Sequence, residues 1–255
     1  MVKKLMLLLT AVRRRWNLPY KAALWALALG VTAVSGFWWV WVLVYAIVSV
    51  TTYLGESHDR TLVRASYWLT VAVAPILLYL QATSRIPFLS SVGMQLVVSA
   101  FLGALMWAIL GIMRSRFSET RISYVMMHTV LLIVVTLAAL GFIEPHRLGM
   151  VGIGFAFVLY LLFRELGLFF NIPRRKRTLM GVLMVLIALE LSWFVLLLPL
   201  GILNATAFIV LALVLIRDIL LTHAGGKLST VYLFRQFTFL TLFMIIIFAA
   251  SRWTL

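Results

Sequence analysis

Long apolar segments, separated by short polar or turn-forming stretches, occupy nearly the whole chain. A helix rises about 1.5 Å per residue, so ~20 apolar residues are needed to cross the ~30 Å hydrocarbon core of a bilayer. Most of the segments approach or exceed that length. The pattern predicts eight or nine membrane-spanning helices, in the segments 21–36, 37–55, 66–83, 88–113, 122–142, 149–171, 178–199, 203–221 and 230–250.

The first two of these segments are poorly separated. Ser35-Gly36 is the only turn signal between them, and the segment 21–36 is short for a complete span. Residues 21–55 are therefore interpreted as either two spanning helices or a re-entrant hairpin. Both alternatives return the chain to the side of the membrane from which it entered.

Residues 1–18 are predicted to form a basic amphipathic helix that lies on the membrane surface. At about 100° per residue, apolar side chains such as Leu5, Leu8 and Trp16 share one face. The basic residues of this segment would contact anionic lipid; they are Lys3, Lys4, Arg13, Arg14 and Arg15. We therefore expect two parts, a surface helix over 1–18 and a single transmembrane domain over 19–255.

Composition agrees with a membrane protein. Of the 255 residues 64% are hydrophobic and only 11% are charged, and the mean hydropathy is +1.12. So few polar groups could not cover a soluble domain of this length. The predicted fold class is an all-α, polytopic transmembrane helical bundle. The chain has no cysteine and only four scattered histidines, so no metal site and no cofactor are predicted.

The net charge of +15 is explained by membrane orientation rather than by nucleic acid. With the N-terminus in the cytoplasm, all but three of the 22 basic residues fall on the cytoplasmic side; the exceptions are Arg85, Arg147 and Arg252. This asymmetry follows the positive-inside rule. It predicts a multi-pass protein of the plasma (inner) membrane with its N-terminus in the cytoplasm and its C-terminus outside. A basic run after Pro173 is predicted to anchor to anionic lipid; it comprises Arg174, Arg175, Lys176 and Arg177.

Three helices carry an arginine followed by an acid or amide near their predicted cytoplasmic ends. These units are Arg164-Glu165, Arg217-Asp218 and Arg235-Gln236. Adjacent residues on a helix point about 100° apart, so each is expected to find its partner on another helix. One hypothesis is a set of interhelical ion pairs, for example Arg217 with Glu165 and Arg235 with Asp218. The alternative is an anion site that receives a lipid phosphate or a carboxylate.

Two further ionisable residues lie deeper in the predicted spans. Glu190 falls near the middle of 178–199, where it is either a proton-coupling or ligand-binding carboxyl or a buried neutral acid bonded to a neighbouring helix. His128 lies about two turns into its helix and is interpreted as a helix–helix contact, with a proton relay as the alternative. Gly149, Gly152 and Gly154 are expected to allow close approach of helices.

The carboxy-terminal third carries a set of short motifs. Glu190 and Trp193 form E-x-x-W, LPLG follows at 198–201, RD stands at 217–218 and SRW at 251–253. Together, over about 75 residues, they resemble an uncharacterised family of small multispanning bacterial membrane proteins. The resemblance implies the fold class and a bacterial origin, and it implies no activity.

Three classes of function remain open, and no catalytic residue is predicted. The favoured hypothesis is a non-catalytic subunit or assembly factor of a larger membrane complex, with membrane-protein partners or further copies of the chain. The first alternative is a small proton-coupled transporter of an anionic or lipidic substrate that uses Glu190. The second is a lipid-modifying enzyme at the cytoplasmic face that uses Glu56, His58 or Asp59. No inverted repeat supports transport, and no phosphate loop or nucleophile motif supports catalysis.

Overall fold

The structure is a computed structural model that describes residues 18–31, 38–54, 64–82, 91–113, 121–142, 148–198, 200–226 and 228–250. Within these ranges the protein is all-helical, with nine helices and no strands. The helices are α1 Leu18–Val31, α2 Trp38–Leu54, α3 Arg64–Ala82, α4 Val92–Met113, α5 Arg121–Phe142, α6 Leu148–Phe169, α7 Arg174–Leu196, α8 Ile202–Ala224 and α9 Thr230–Ala250.

Six of the helices, α4 to α9, are long and apolar enough to cross a membrane. The shorter helices α1, α2 and α3 are also apolar, and α3 contains Pro75 within its length. The all-helical prediction is therefore confirmed. Six helices of spanning length are present among the described residues, and the predicted total of eight or nine spans stays a prediction. The predicted surface helix, except for Leu18, lies outside the described residues, as does the Ser35-Gly36 turn.

The chain divides into two compact units, 1–127 and 128–255, and the boundary falls within α5. In the first unit, hydrogen bonds join the three short helices. The Trp25 indole N–H donates to Ser49 Oγ at 3.0 Å, and the Tyr67 hydroxyl donates to the Ser49 carbonyl at 2.7 Å. These aromatic side chains are buried, and their polar atoms find partners inside the unit.

In the second unit, consecutive helices from α6 to α9 pack against one another. The turn between α6 and α7 ends α6 with Asn171 at φ 54°, and the Ile172 N–H donates to the Gly167 carbonyl at 2.9 Å. This is a Schellman-type ending, in which a left-handed residue satisfies the last carbonyls of the helix. It allows α7 to begin directly with the basic run.

The glycines that permit close packing differ in part from those expected. At Gly152 an added Cβ would lie 3.9 Å from the Leu189 Cδ2 of α7, whereas at Gly149 or Gly154 it would find nothing within 4 Å among the described residues. At Gly103 it would lie 2.5 Å from the Ala26 Cβ, and at Gly181 it would lie 3.1 Å from a Tyr160 ring carbon. The prediction for Gly149 and Gly154 was therefore wrong, because these two residues do not stand where another helix approaches.

Candidate functional site

Arg217 forms the centre of a buried polar cluster in the second unit. Its side chain is buried, and its Nε donates to Asp218 Oδ1 at 2.8 Å. Its Nη1 donates to Thr129 Oγ1 of α5 at 2.9 Å. The guanidinium thus ties α8 to α5 through charge-assisted and neutral hydrogen bonds.

The pairing of Arg217 with Asp218 corrects the expectation that adjacent residues cannot meet. Their Cβ atoms do diverge around the helix, but the arginine stem is long and flexible enough to turn back to the neighbouring carboxylate. A buried guanidinium without hydrogen bonds would be costly, so the nearest acceptor is used. Thr129 was not predicted as a partner from the sequence. Its position beside His128 in an apolar helix was the only sequence feature that pointed to it.

The two residues of the Arg164-Glu165 unit lie in different environments. Glu165 is only 3% exposed, whereas Arg164 is exposed on the surface of α6. Glu165 and Arg217 are therefore both buried side chains of the second compact unit, residues 128–255. Their pairing stays a prediction.

Arg235 does not take part in the predicted pairing with Asp218. It is exposed, and its guanidinium carbon lies 5.3 Å from the centroid of the Tyr232 ring on the same helix. This is a cation–π contact. Gln236, beside it, is partly exposed. The three arginine units consequently do not form one set of interhelical ion pairs.

His128 is completely buried in α5. Its ring centroid lies 5.3 Å from that of Phe163 on α6, with the ring planes inclined at 59°. The next residue along α5 is Thr129, which contacts Arg217. His128 therefore packs in the core of the unit, close in sequence to the buried cluster.

Glu190 lies on the exposed face of α7 and not in the core. Side chains at three- and four-residue spacings make this face almost wholly apolar; its exposed members include Leu179, Leu183, Leu186, Trp193 and Leu197. We call this set, together with Glu190, the α7 face. Trp193, one turn after the acid, is 61% exposed. The expectation that Glu190 is buried was therefore wrong.

A cavity of about 430 Å³ lies beside α7, between α5 and α6. Its lining is almost entirely apolar and includes Phe155, Leu189 and Ser192, whereas Glu190 is not among the lining residues. The Ser192 hydroxyl donates to the Ala188 carbonyl at 2.7 Å, so its proton is used within α7. The described lining residues thus offer apolar contacts and include no ionisable group.

The four basic residues at the start of α7 differ in their exposure. Arg174, Arg175 and Lys176 are exposed. Arg177 is half-buried, because its aliphatic stem packs on Gly167, where an added Cβ would lie 2.5 Å from the Arg177 Cγ. Three of the four basic residues that were predicted to contact lipid are therefore exposed on the surface. The remaining predicted lipid contacts, Lys3, Lys4 and Arg13 to Arg15, lie outside the described residues.

Arg174 and Arg175 stand at one end of a groove of about 860 Å³ on the surface of α7. The described lining residues all belong to this helix and are Arg174, Arg175, Thr178, Leu179, Val182, Leu183 and Leu186. They form two neighbouring rows at four-residue spacing, with the groove between them. We call this feature the α7 groove.

Six long apolar helices and a predominantly apolar surface on the described residues fit a polytopic helical membrane protein. Comparison with models of protein families, with curated proteins and with solved structures gave no match. Among the described residues, no group of three or more histidine, aspartate or glutamate side chains is placed to hold a metal ion.

Proposed function

We propose that this protein is a non-catalytic subunit or assembly factor of a larger membrane complex, and that the α7 face contacts the partner. The observation that carries the proposal is the exposure of Glu190 among apolar side chains. The partner is a transmembrane helix, of another protein or of a second copy, that presents a hydrogen-bond donor or a cation at the depth of this carboxyl.

The depth of Glu190 supports this proposal. At 1.5 Å per residue, Glu190 lies about 20 Å along the helix from Arg177 and about 10 Å from Leu197. A glutamate side chain cannot reach water from there, and an ionisable group facing hydrocarbon costs a few kcal/mol. A donor on a partner helix would remove that cost and fix the register of the contact.

α9 gives the complex a second available surface. It packs against α8, yet none of its described residues is buried. Beyond Gln236 its side chains are apolar or are threonines whose hydroxyls bond to carbonyls of the same helix, so lipid satisfies this part as well as protein would. The acid therefore makes the α7 face the stronger candidate for a specific contact.

The partner contact can be tested with a photo-crosslinking amino acid at Trp193. We expect it to capture another polypeptide in intact membranes, and Glu190→Leu to reduce that product at least fivefold. Glu190→Gln should retain part of it, because an amide can still accept a hydrogen bond. The control is the same crosslinker at Phe234 of α9, which is 75% exposed and whose products should not depend on Glu190.

Two outcomes would contradict the proposal. One is capture of lipid alone from Trp193, unaffected by Glu190→Leu. The other is proton-linked flux by the purified chain in liposomes that Glu190→Gln abolishes, which would favour the transporter. The residues of the enzyme alternative, Glu56, His58 and Asp59, lie outside the described residues.

We also propose the orientation implied by the basic residues: a bacterial inner-membrane protein with its N-terminus and the Arg174–Arg177 run in the cytoplasm. The support is the sorting of cations along the sequence. In this arrangement the shorter helices α1 to α3 complete the eight or nine spans that the sequence predicts.

A further inference from the structure

We propose that the α7 groove binds one anionic glycerophospholipid. Its phosphate lies between the guanidinium groups of Arg174 and Arg175, and one acyl chain follows the apolar part of the groove toward Leu186. The groove shares Leu179, Leu183 and Leu186 with the α7 face but does not include Glu190. The lipid and the partner therefore occupy successive parts of that face, with the partner on the part from Glu190 to Leu197.

The charged end of the groove suits a phosphate. Arg174 and Arg175 are both exposed and both line it. Guanidinium groups offer several N–H donors in a planar arrangement that matches phosphate oxygens. The exposed Thr178 donates its hydroxyl to the Arg174 carbonyl at 3.1 Å, so its oxygen remains available to accept from a head-group hydroxyl.

The apolar part of the groove suits an acyl chain. Leu179, Val182, Leu183 and Leu186 are all exposed large hydrophobic residues. From Arg174 to Leu186 the helix rises about 18 Å, which is close to half of the ~30 Å hydrocarbon core. The groove therefore has the length of a chain in one leaflet, and it ends one turn before Glu190.

The combination of charge and depth distinguishes a lipid from a soluble anion. A free phosphate would use only the two arginines, whereas the apolar rows lie at the depth of lipid tails. An anionic lipid is the occupant that can contact both the two arginines and the apolar part of the groove.

The test uses the full chain purified in mild detergent and native mass spectrometry with palmitoyl-oleoyl phosphatidylglycerol or phosphatidylcholine. We expect one retained phosphatidylglycerol and at least tenfold weaker retention of phosphatidylcholine. Arg174→Ala with Arg175→Ala should weaken phosphatidylglycerol binding by tenfold or more, since each cation near a lipid surface contributes about fivefold. Lys176→Ala is the matched control, because Lys176 is exposed but does not line the groove.

A second variant tests the apolar part without changing charge. Val182→Trp fills the groove with an apolar side chain, and we expect it to reduce phosphatidylglycerol retention at least fivefold while helix content by circular dichroism is unchanged. Glycerol phosphate, which has the head group without the chains, should not displace the lipid.

Three results would overturn the inference. Equal losses for Lys176→Ala and for either single substitution, Arg174→Ala or Arg175→Ala, would indicate diffuse charge attraction instead of a site. Displacement by glycerol phosphate, or no effect of Val182→Trp, would remove the role of the acyl chain. Co-purification of a polypeptide crosslinked to Leu183, with no retained lipid, would assign the groove to a protein partner.

Discussion

Arg217 is a buried guanidinium that bonds to a carboxylate on its own helix and to a hydroxyl on α5. Asp218 is about one-third exposed, so the pair stands at the edge of the core. Removing either residue of the pair leaves the other without an opposite charge. The resulting loss in the free energy of unfolding depends on how deeply the remaining residue is buried. Glu190 is the opposite case, an acid whose complement must come from outside the described chain. For single residues, the environment of a charged side chain therefore determines whether its partner lies within the described chain or outside it.

The first prediction concerns the Arg217–Asp218 pair. We expect Arg217→Ala to destabilise the protein by about 2–4 kcal/mol, because it removes a buried side chain and leaves a partly buried carboxylate. Thr129→Val should cost about 1 kcal/mol, the value of one hydrogen bond. The measurement is denaturant unfolding in detergent micelles, followed by circular dichroism.

A double-mutant cycle distinguishes the two candidate partners of Arg217. We expect a coupling energy of about 1 kcal/mol or more between Arg217→Ala and Asp218→Ala, since the two side chains are in direct contact. Additive effects of these two substitutions would refute the pair as an energetic contact. The same cycle with Glu165→Ala tests the pairing that remains a prediction.

Helix packing in both units depends on a few glycines at points of close approach. Gly103 of α4 faces Ala26 of α1, Gly167 of α6 faces the stem of Arg177, and Gly181 of α7 faces Tyr160. In lipid, water expulsion does not drive helices together, so van der Waals contact at such points contributes much of their association. An exposed glycine such as Gly154 provides no such contact.

The second prediction compares Gly103→Ala with Gly154→Ala. Gly103→Ala should destabilise by about 1–3 kcal/mol, because the new methyl group would lie 2.5 Å from the Ala26 Cβ and the helices must separate. Gly154→Ala should be neutral or stabilising by up to about 1 kcal/mol, since nothing lies within 4 Å and alanine favours the helix. Thermal unfolding of both variants in the same detergent measures the difference. Equal destabilisation by the two substitutions would contradict the packing at Gly103.

The described residues present a mostly apolar surface with a small number of charged positions. Helices α4 to α9 each have the length of a membrane span; the first unit also contains the shorter helices α1 to α3. Successive spanning helices place their connecting segments alternately on the two sides of the bilayer. The ends of α7 should accordingly lie on opposite sides, with the basic run at one end and Gly201 beyond the other.

The third prediction tests that arrangement by cysteine labelling. The chain contains no cysteine, so single-cysteine variants report one position each. In intact cells a membrane-impermeant maleimide should label Gly201→Cys, and it should label Lys176→Cys only after the membrane is opened. Labelling of Lys176→Cys from outside would reverse the proposed orientation. Labelling of both positions from one side would show that α7 does not span the membrane.

The sequence by itself determined the class of the protein and most of its helices. Segment lengths and hydropathy depend on local composition, and an apolar run in lipid must close its backbone hydrogen bonds within itself. The predicted segments 122–142 and 230–250 accordingly agree with α5 and α9 to within one residue. The short segment 21–36 was harder, because its length and weak turn signal left two interpretations.

Tertiary structure alone decided which way each side chain faces. A helix that is apolar on all sides carries no amphipathic stripe from which its buried face can be read. The sequence therefore could not reveal that Glu190 is exposed, that Glu165 is buried beside an exposed Arg164, or that Arg217 bonds to Thr129. Those properties depend on which helices are neighbours, and residues far apart in the sequence determine them.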